Sequence, residues 1–356
     1  MTPFKENRTK QVLCRHLPIG GGAPVSIQSM TNVDSCNGAV LLRQIQDLQQ
    51  AGCDIVRIAI PSMEAAETLA KIRPETEMPL VADIHFDHRL ALAAIAAGAD
   101  KIRINPGNIG SLDRVRQVVD ACREKQIPIR IGVNSGSLEK DLLERYGGVT
   151  AEGLAESALR NLAVVEDMGY DQLVVSLKSS DVVMNDRAYR LVAQQTDYPI
   201  HIGVTEAGTL AYGQIKSAVG LGALLLSGIG DTMRVSLTAD PIHEVTYARK
   251  LLETVGLRQP PYTLVSCPTC GRTRIPLQEL AEAVDARLAQ ATLPPGLKIA
   301  VMGCAVNGPG EAREADYGVA GGDGKGILFR KGEILETVAE DAIIDRLLAL
   351  IEEDNR

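Results

Sequence analysis

At 356 residues the chain exceeds a small single domain, and it carries 37 Lys and Arg against 45 Asp and Glu for a formal net charge of −8, with no Trp and three Phe. That balance offers no basic stripe and argues against a nucleic-acid partner, pointing instead to a small molecule or an acidic protein. The opening "MTPFKENRTKQV" lacks the apolar centre of a signal peptide, and no later run holds eighteen uninterrupted apolar residues. The expectation is a soluble, cytoplasmic protein with no membrane span, whose seven cysteines are thiols, metal ligands or catalysts rather than disulfides.

In chain order, short apolar runs alternate with amphipathic stretches. Strands are predicted at "PVSIQSM" (24–30), "DIVRIAI" (54–60), "LVADIHF" (80–86), "KIRINP" (101–106), "PIRIGVN" (128–134), "QLVVSLK" (172–178), "IHIGVTE" (200–206) and "TMRVSL" (232–237). Between them stand stretches such as "AVLLRQIQDLQQAG" and "AEGLAESALRNLAVVEDMG", rich in Ala, Leu and charge and closing on Gly as helices do. Eight strand–helix units over about 250 residues is the rhythm of a TIM (β/α)8 barrel. A doubly wound sheet would show a Gly-rich phosphate loop after the first strand, and "QSMTNVDS" is not one.

In a barrel, chemistry belongs at the C-terminal strand ends. The two-residue strand period lets Arg57, Arg103 with Asn105, Arg130 with Asn134, Ser176 with Lys178, His201 with Thr205, and Arg234 with Ser236 face one side of their strands. Five strands thus contribute an Arg or Lys. Unpaired buried guanidinium groups are costly, so the pattern implies a bound polyanion carrying two phosphates or a diphosphate; ion pairs on outer faces are the alternative for any single residue. Near this mouth "ADIHFDH" supplies Asp83, His85 and Asp87, readable as acid–base groups or part of a metal site. Glu206 in "VTEAG" is the better general acid or base, the alternative being a carboxylate that orients the arginines.

After "VGLRQPPYT" the pattern changes. Residues 1–256 form the barrel, 257–262 a proline-stiffened linker, and 263–356 a small α+β unit. Within it Cys267 and Cys270 make a C-x-x-C pair, and Cys304 follows in "MGCAVNGPGEA". The pair alone fits a redox dithiol or half a zinc ribbon. Three thiolates also serve a [4Fe–4S] cluster with one iron left for a weaker ligand, for which Glu311 is a reasonable carboxylate. Cys14, Cys36, Cys53 and Cys122 show no such spacing and read as small buried apolar residues.

The motifs "QSMTN", "VADIHFDHR", "RINPGNIG", "IRIGVNSGSLEKDL", "VSLKSSDV", "GVTEAG", "GIGDTMRVSLTADP", "CPTCGR" and "GCAVNGPGEA", in this order over nearly the whole chain, resemble the bacterial two-domain 4-hydroxy-3-methylbut-2-enyl diphosphate synthases of the non-mevalonate isoprenoid pathway. The resemblance implies a barrel binding 2-C-methyl-D-erythritol 2,4-cyclodiphosphate and a cluster domain reducing it, with electrons from ferredoxin or flavodoxin. It implies Cys267, Cys270, Cys304 and Glu311 as ligands of the [4Fe–4S] cluster. Arg57, Arg103, Asn105, Arg130, Asn134, Lys178, His201, Arg234 and Ser236 become the diphosphate site, and Glu206 a catalytic carboxylate beside Glu311. Leu226 and Ser227 stand where similar proteins commonly carry a Glu.

A linker of roughly seven residues spans at most about 20 Å. The chain leaves a barrel at the face opposite its active site, so the expectation is a head-to-tail homodimer in which the cluster domain caps the partner's barrel, as the resemblance also implies.

Overall fold

Val- and Ile-rich runs flanked by capped helices build a closed parallel barrel in the computed structural model, which describes residues 9–304 and 312–354. Its strands are β3 (Ser26–Met30), β4 (Ile55–Ala59), β5 (Leu80–Asp83), β6 (Lys101–Ile104), β7 (Ile129–Asn134), β8 (Leu173–Lys178), β9 (His201–Gly203) and β10 (Thr232–Arg234), preceded by β1 (Gln11–Cys14) and β2 (Leu17–Gly20). The order β8-β7-β6-β5-β4-β3-β10-β9 is closed by a parallel bridge from Val175 to Ile200. Asn37, Ser62, Asp87, Thr150, Asp181 and Asp240 each cap a helix by accepting from a backbone N–H of its first turn, a contact worth about 1 kcal/mol.

Strand alternation sorts the barrel into two apolar clusters. Val56, Ile58, Leu80, Ala82, Ile102 and Val175 join Leu41, Ile45 and Leu69 of the surrounding helices. Ile55, Val81 and Val174, one position away, join Val12, Cys14 and Ile19 of the β1–β2 hairpin. The hairpin therefore plugs the N-terminal end of the barrel. The strand pattern alone does not announce it: each arm has four residues, and its stability comes from burial in the barrel rather than from local propensity. The strands expected over 200–206 and 232–237 stop at Gly203 and Arg234, and the polar residues beyond become loop.

The chain divides into two compact units after Arg258. Leu257 still packs on the barrel core, and Arg258 Nη2 lies 3.2 Å from Asp54 Oδ2 at the N-terminal side of β4. Tyr262, the last residue of the expected linker, already opens β11 (Tyr262–Ser266). With β12 (Leu297–Met302), β13 (Tyr317–Gly322), β14 (Lys325–Arg330) and β15 (Glu333–Ala339) it forms a sheet in sequential order, the first three strands parallel and the last two antiparallel. The helices Leu277–Leu288 and Ile343–Asp354 bury Leu277, Val284, Leu288, Leu347 and Ile351 against Ile299, Val301, Val319 and Leu328. Ala300, Met302, Ala320 and Phe329 form a second apolar layer on the other strand face.

Candidate active site

The C-terminal ends of the barrel strands enclose a cavity of about 90 Å³ lined by Arg57, His85, Arg103, Arg130, Asn134, Ser176, Lys178, Thr205, Arg234 and Ser236. All five expected cations converge there. Strand alternation accounts for it: Arg57 follows Ile55, and Lys178 follows Ser176 and Val174, on the inward side of their strands.

Two carboxylates organise the cations. Asp83, at the end of β5, accepts from Arg57 Nη2 at 2.8 Å, lies 3.1 Å from His85 Nε2, and stands 3.5 Å from Arg103 Nη1. Burial alone would raise its carboxyl, but Arg57, His85 and Arg103 together hold it well below the ordinary carboxylate range. Glu244 accepts from Arg234 Nε and Nη2 at 3.3 Å, from Ser29 Oγ at 3.1 Å and from the Leu237 N–H at 3.0 Å. Arg103 also donates to the Gly132 carbonyl at 3.3 Å, and Arg130 donates to Gln28 Oε1 at 3.4 Å. The Nε groups of Arg57 and Arg130 are buried without a hydrogen-bond acceptor among the described residues. Arg130, fully buried, is pushed down by burial and by Arg57 and Arg103, yet a guanidinium does not lose its proton in a protein.

Three expected site residues do not line this cavity. Asn105 is buried and caps the short helix Pro106–Ile109, its Oδ1 accepting from Gly107 at 3.1 Å. His201 is fully buried, with Nδ1 3.4 Å from Thr232 Oγ1 and no partner for Nε2 among the described residues; burial first, then Arg130, keep its imidazole neutral. Glu206 is exposed just past β9, with φ of +51°. Among the described residues, the carboxylates that pair with the site arginines are Asp83 and Glu244. Of the Asp83, His85 and Asp87 group, Asp83 serves Arg57, Arg103 and His85, while Asp87 caps the next helix and pairs with Arg89.

Glu244 and Gln28 escape the sequence reading. A signal for Glu244 exists, since it falls within the buried stripe Pro241, Val245, Ala248, Leu251 and Leu252 of its helix, where a carboxylate needs a partner. Leu226 and Ser227 close the helix Leu210–Leu226, and Ser227 Oγ accepts from Arg190 at 2.9 Å.

In the second unit, parallel strands β11 and β12 end in register, Ser266 beside Val301, so Cys267 and Cys304 leave the sheet at the same end. The Gly303 N–H donates to Cys267 Sγ at 3.3 Å, and the Arg274 N–H to the Gly303 carbonyl at 2.9 Å, which lays the C-x-x-C loop along the end of β12. Cys267 is half-buried, Cys270 exposed and Cys304 buried. Hydrogen bonds from the Arg272 backbone and side chain lower the Cys270 thiol, with Thr273 adding to them. Glu311 lies outside the described residues. Among the described residues no three His, Cys, Asp or Glu groups already stand in a metal-holding cluster. Cys14, Cys53 and Cys122 are buried as expected, and Cys36 is partly so.

A TIM barrel with a buried cationic mouth, followed by a small α+β unit in which Cys267 and Cys304 leave one sheet end with Cys270 in the loop beside them, defines a two-domain enzyme class. Residues 9–249 match the GcpE TIM-barrel domain and 263–353 the GcpE protein C-terminal domain. The chain belongs to the GcpE family. It is 54% identical over 345 residues to the 4-hydroxy-3-methylbut-2-en-1-yl diphosphate synthase (flavodoxin) of Geobacter sulfurreducens, covering 97% of both chains. The enzyme of the same name from Caldanaerobacter subterraneus is 51% identical over 97% of this chain and 96% of its own. That from Clostridium perfringens is 52% identical over 98% and 99%.

Proposed function

We propose that this protein is an oxidoreductase that opens 2-C-methyl-D-erythritol 2,4-cyclodiphosphate by two-electron reduction with loss of water, giving 4-hydroxy-3-methylbut-2-enyl diphosphate. The observation that carries the reading is the mouth itself: four arginines and a lysine beside two carboxylates, both carboxylates already engaged, in a chain whose net charge is −8. A diphosphate supplies the missing negative charge, and the fork-shaped guanidinium groups match its oxygens. In this reading Arg57, Arg103, Arg130, Lys178 and Arg234 bind phosphate, while Asn134 and Ser236 donate further hydrogen bonds. Asn105 and His201 support the strand ends from below. Glu206, solvent-facing at the rim, handles a proton as substrate enters or product forms.

Cys267, Cys270 and Cys304, with Glu311, would hold a [4Fe–4S] cluster. The donor set is chemically suited: Cys267 and Cys304 leave the same end of the β11–β12 pair, and Cys270, three residues beyond Cys267, is pulled toward thiolate by neighbouring donors. When bound, such a cluster supplies electrons one at a time and a Lewis-acidic iron. The relatives' name supports flavodoxin as the donor, and ferredoxin is the other small carrier of suitable type. Anchoring of Arg258 to Asp54, at the end of the barrel away from the mouth, supports a homodimer in which a second copy's thiol unit caps the mouth. The cysteines, all free, suit the cytoplasm.

Protein purified without oxygen should contain about four irons and four sulfides per chain and no zinc. Arg103→Ala should abolish turnover of the cyclodiphosphate while the cluster spectrum is unchanged. One zinc without sulfide, persisting after anaerobic reconstitution, would remove the redox reading.

A further inference from the structure

Lys178 ends β8 inside the cavity at 8% exposure, and no hydrogen bond or ion pair holds its Nζ among the described residues. The charged groups facing it come from the neighbouring strand ends. Arg57 on β4, Arg103 on β6, Arg130 on β7 and Arg234 on β10 all oppose an ammonium there, as does burial, which is the larger effect. Deeper in the barrel lie His201 on β9 and Lys101 on β6, both fully buried. Lys101 is lowered to about 8 by burial. The acidic groups are occupied: Asp83 on β5 serves Arg57, Arg103 and His85, and Glu244 serves Arg234.

Guanidinium groups cannot shed protons, whereas a lysine can. The cavity therefore has one member on its own wall, apart from the half-exposed His85, whose charge can be withheld. An entering diphosphate reverses the balance, because opposite charge within about 4–6 Å favours the ammonium. We propose that Lys178 stands as a neutral amine in the ligand-free site and takes up one proton from solvent when a diphosphate ligand enters, so that anion binding and protonation of this lysine are a single event. The inference rests on the anion site proposed above. It gives a reason for lysine at this position: a fifth permanent cation would burden the ligand-free barrel, whereas an amine adds its charge only when the ligand is there to meet it.

The test is calorimetric titration of the oxidised holoenzyme, without reductant, in buffers of different ionisation enthalpy. The probes are the cyclodiphosphate and inorganic sulfate, neither of which carries a proton that titrates near neutral pH. Wild type should take up about one proton per bound cyclodiphosphate, with affinity falling up to tenfold per pH unit above neutrality. Lys178→Arg should bind without that uptake and with a flat pH profile, and Lys178→Gln should bind more weakly, also without uptake. His85→Gln and His201→Gln should keep the uptake. Binding without proton uptake in wild type, uptake that survives in both Lys178 variants, or uptake lost in either histidine variant would overturn the proposal and leave the anion site standing. Sulfate bound with uptake while the cyclodiphosphate fails to bind would support the lysine's role and overturn the substrate instead. Failure of both anions to bind would overturn both.

Discussion

Asp83 Oδ2 accepts from Arg57 Nη2 at 2.8 Å across the β4–β5 pair, while its other oxygen stands 3.5 Å from Arg103 on the next strand. One buried carboxylate thus ties together the cations of two flanking strands.

Removing it leaves those cations without their counter-charge. Asp83→Asn should destabilise the barrel by about 3–5 kcal/mol, the usual cost of breaking a buried pair, and lower the melting temperature at neutral pH. Because the folded carboxyl lies below its unfolded value, its stabilisation is complete above that value, about 3.9, and is lost as pH falls through and below it. The gap in melting temperature between wild type and Asp83→Asn should therefore narrow below about pH 4. A gap of constant size down to pH 2 would contradict the pairing.

Gly132 on β7 has no room for a side chain, since a Cβ there would sit 2.5 Å from Arg103 Nε and 2.9 Å from Nη2. Gly132→Ala should push the Arg103 guanidinium aside and leave the strand paired. Displacing a positioning group by about 1 Å can cost on the order of a hundredfold in rate. The expected result is a loss of that size in kcat/KM with unaltered circular dichroism. Full activity would show that Arg103 is not held where the substrate needs it.

Glu244 meets Arg234, Ser29 and the Leu237 N–H from a helix outside the sheet. Glu244→Gln preserves the shape and removes the charge that holds Arg234. Hydrogen bonds to charged groups are worth about 1.5–3 kcal/mol, so kcat/KM should fall roughly ten- to a hundredfold, mainly through KM, with iron content unchanged. Loss of iron in this variant would place the effect in folding instead.

The thiols should separate by reactivity. Burial raises Cys14 to about 11 and Cys53 to about 12, and lifts Cys122 further, whereas hydrogen bonds lower exposed Cys270. In cluster-free folded protein at about pH 8, an aromatic disulfide reagent should label Cys270 first and leave Cys14, Cys53 and Cys122 untouched until unfolding. Peptide mass spectrometry after brief labelling reads this directly. Early labelling of Cys122 would mean that the barrel core opens.

The eight-fold alternation, the barrel end at which the cations stand and the C-x-x-C pair were legible in the residues. All are local: helix and strand periods come from backbone geometry, and a cation two positions from an inward apolar residue must also point inward. Asn105 and His201 share that periodicity with Arg103 and Gly203, yet neither lines the cavity. Periodicity assigns a face and says nothing of depth.

The chain by itself determined a TIM barrel, a second α+β unit, five inward-facing cations and three thiols set apart from four others. Only the closed barrel decided which carboxylates serve those cations. Ser29 and Glu244 meet across 215 positions, and the β1–β2 hairpin finds its stability against Ile55, Val81 and Val174. Such partnerships depend on closure of the sheet between β8 and β9, and no local pattern of residues encodes the distance across a closed barrel.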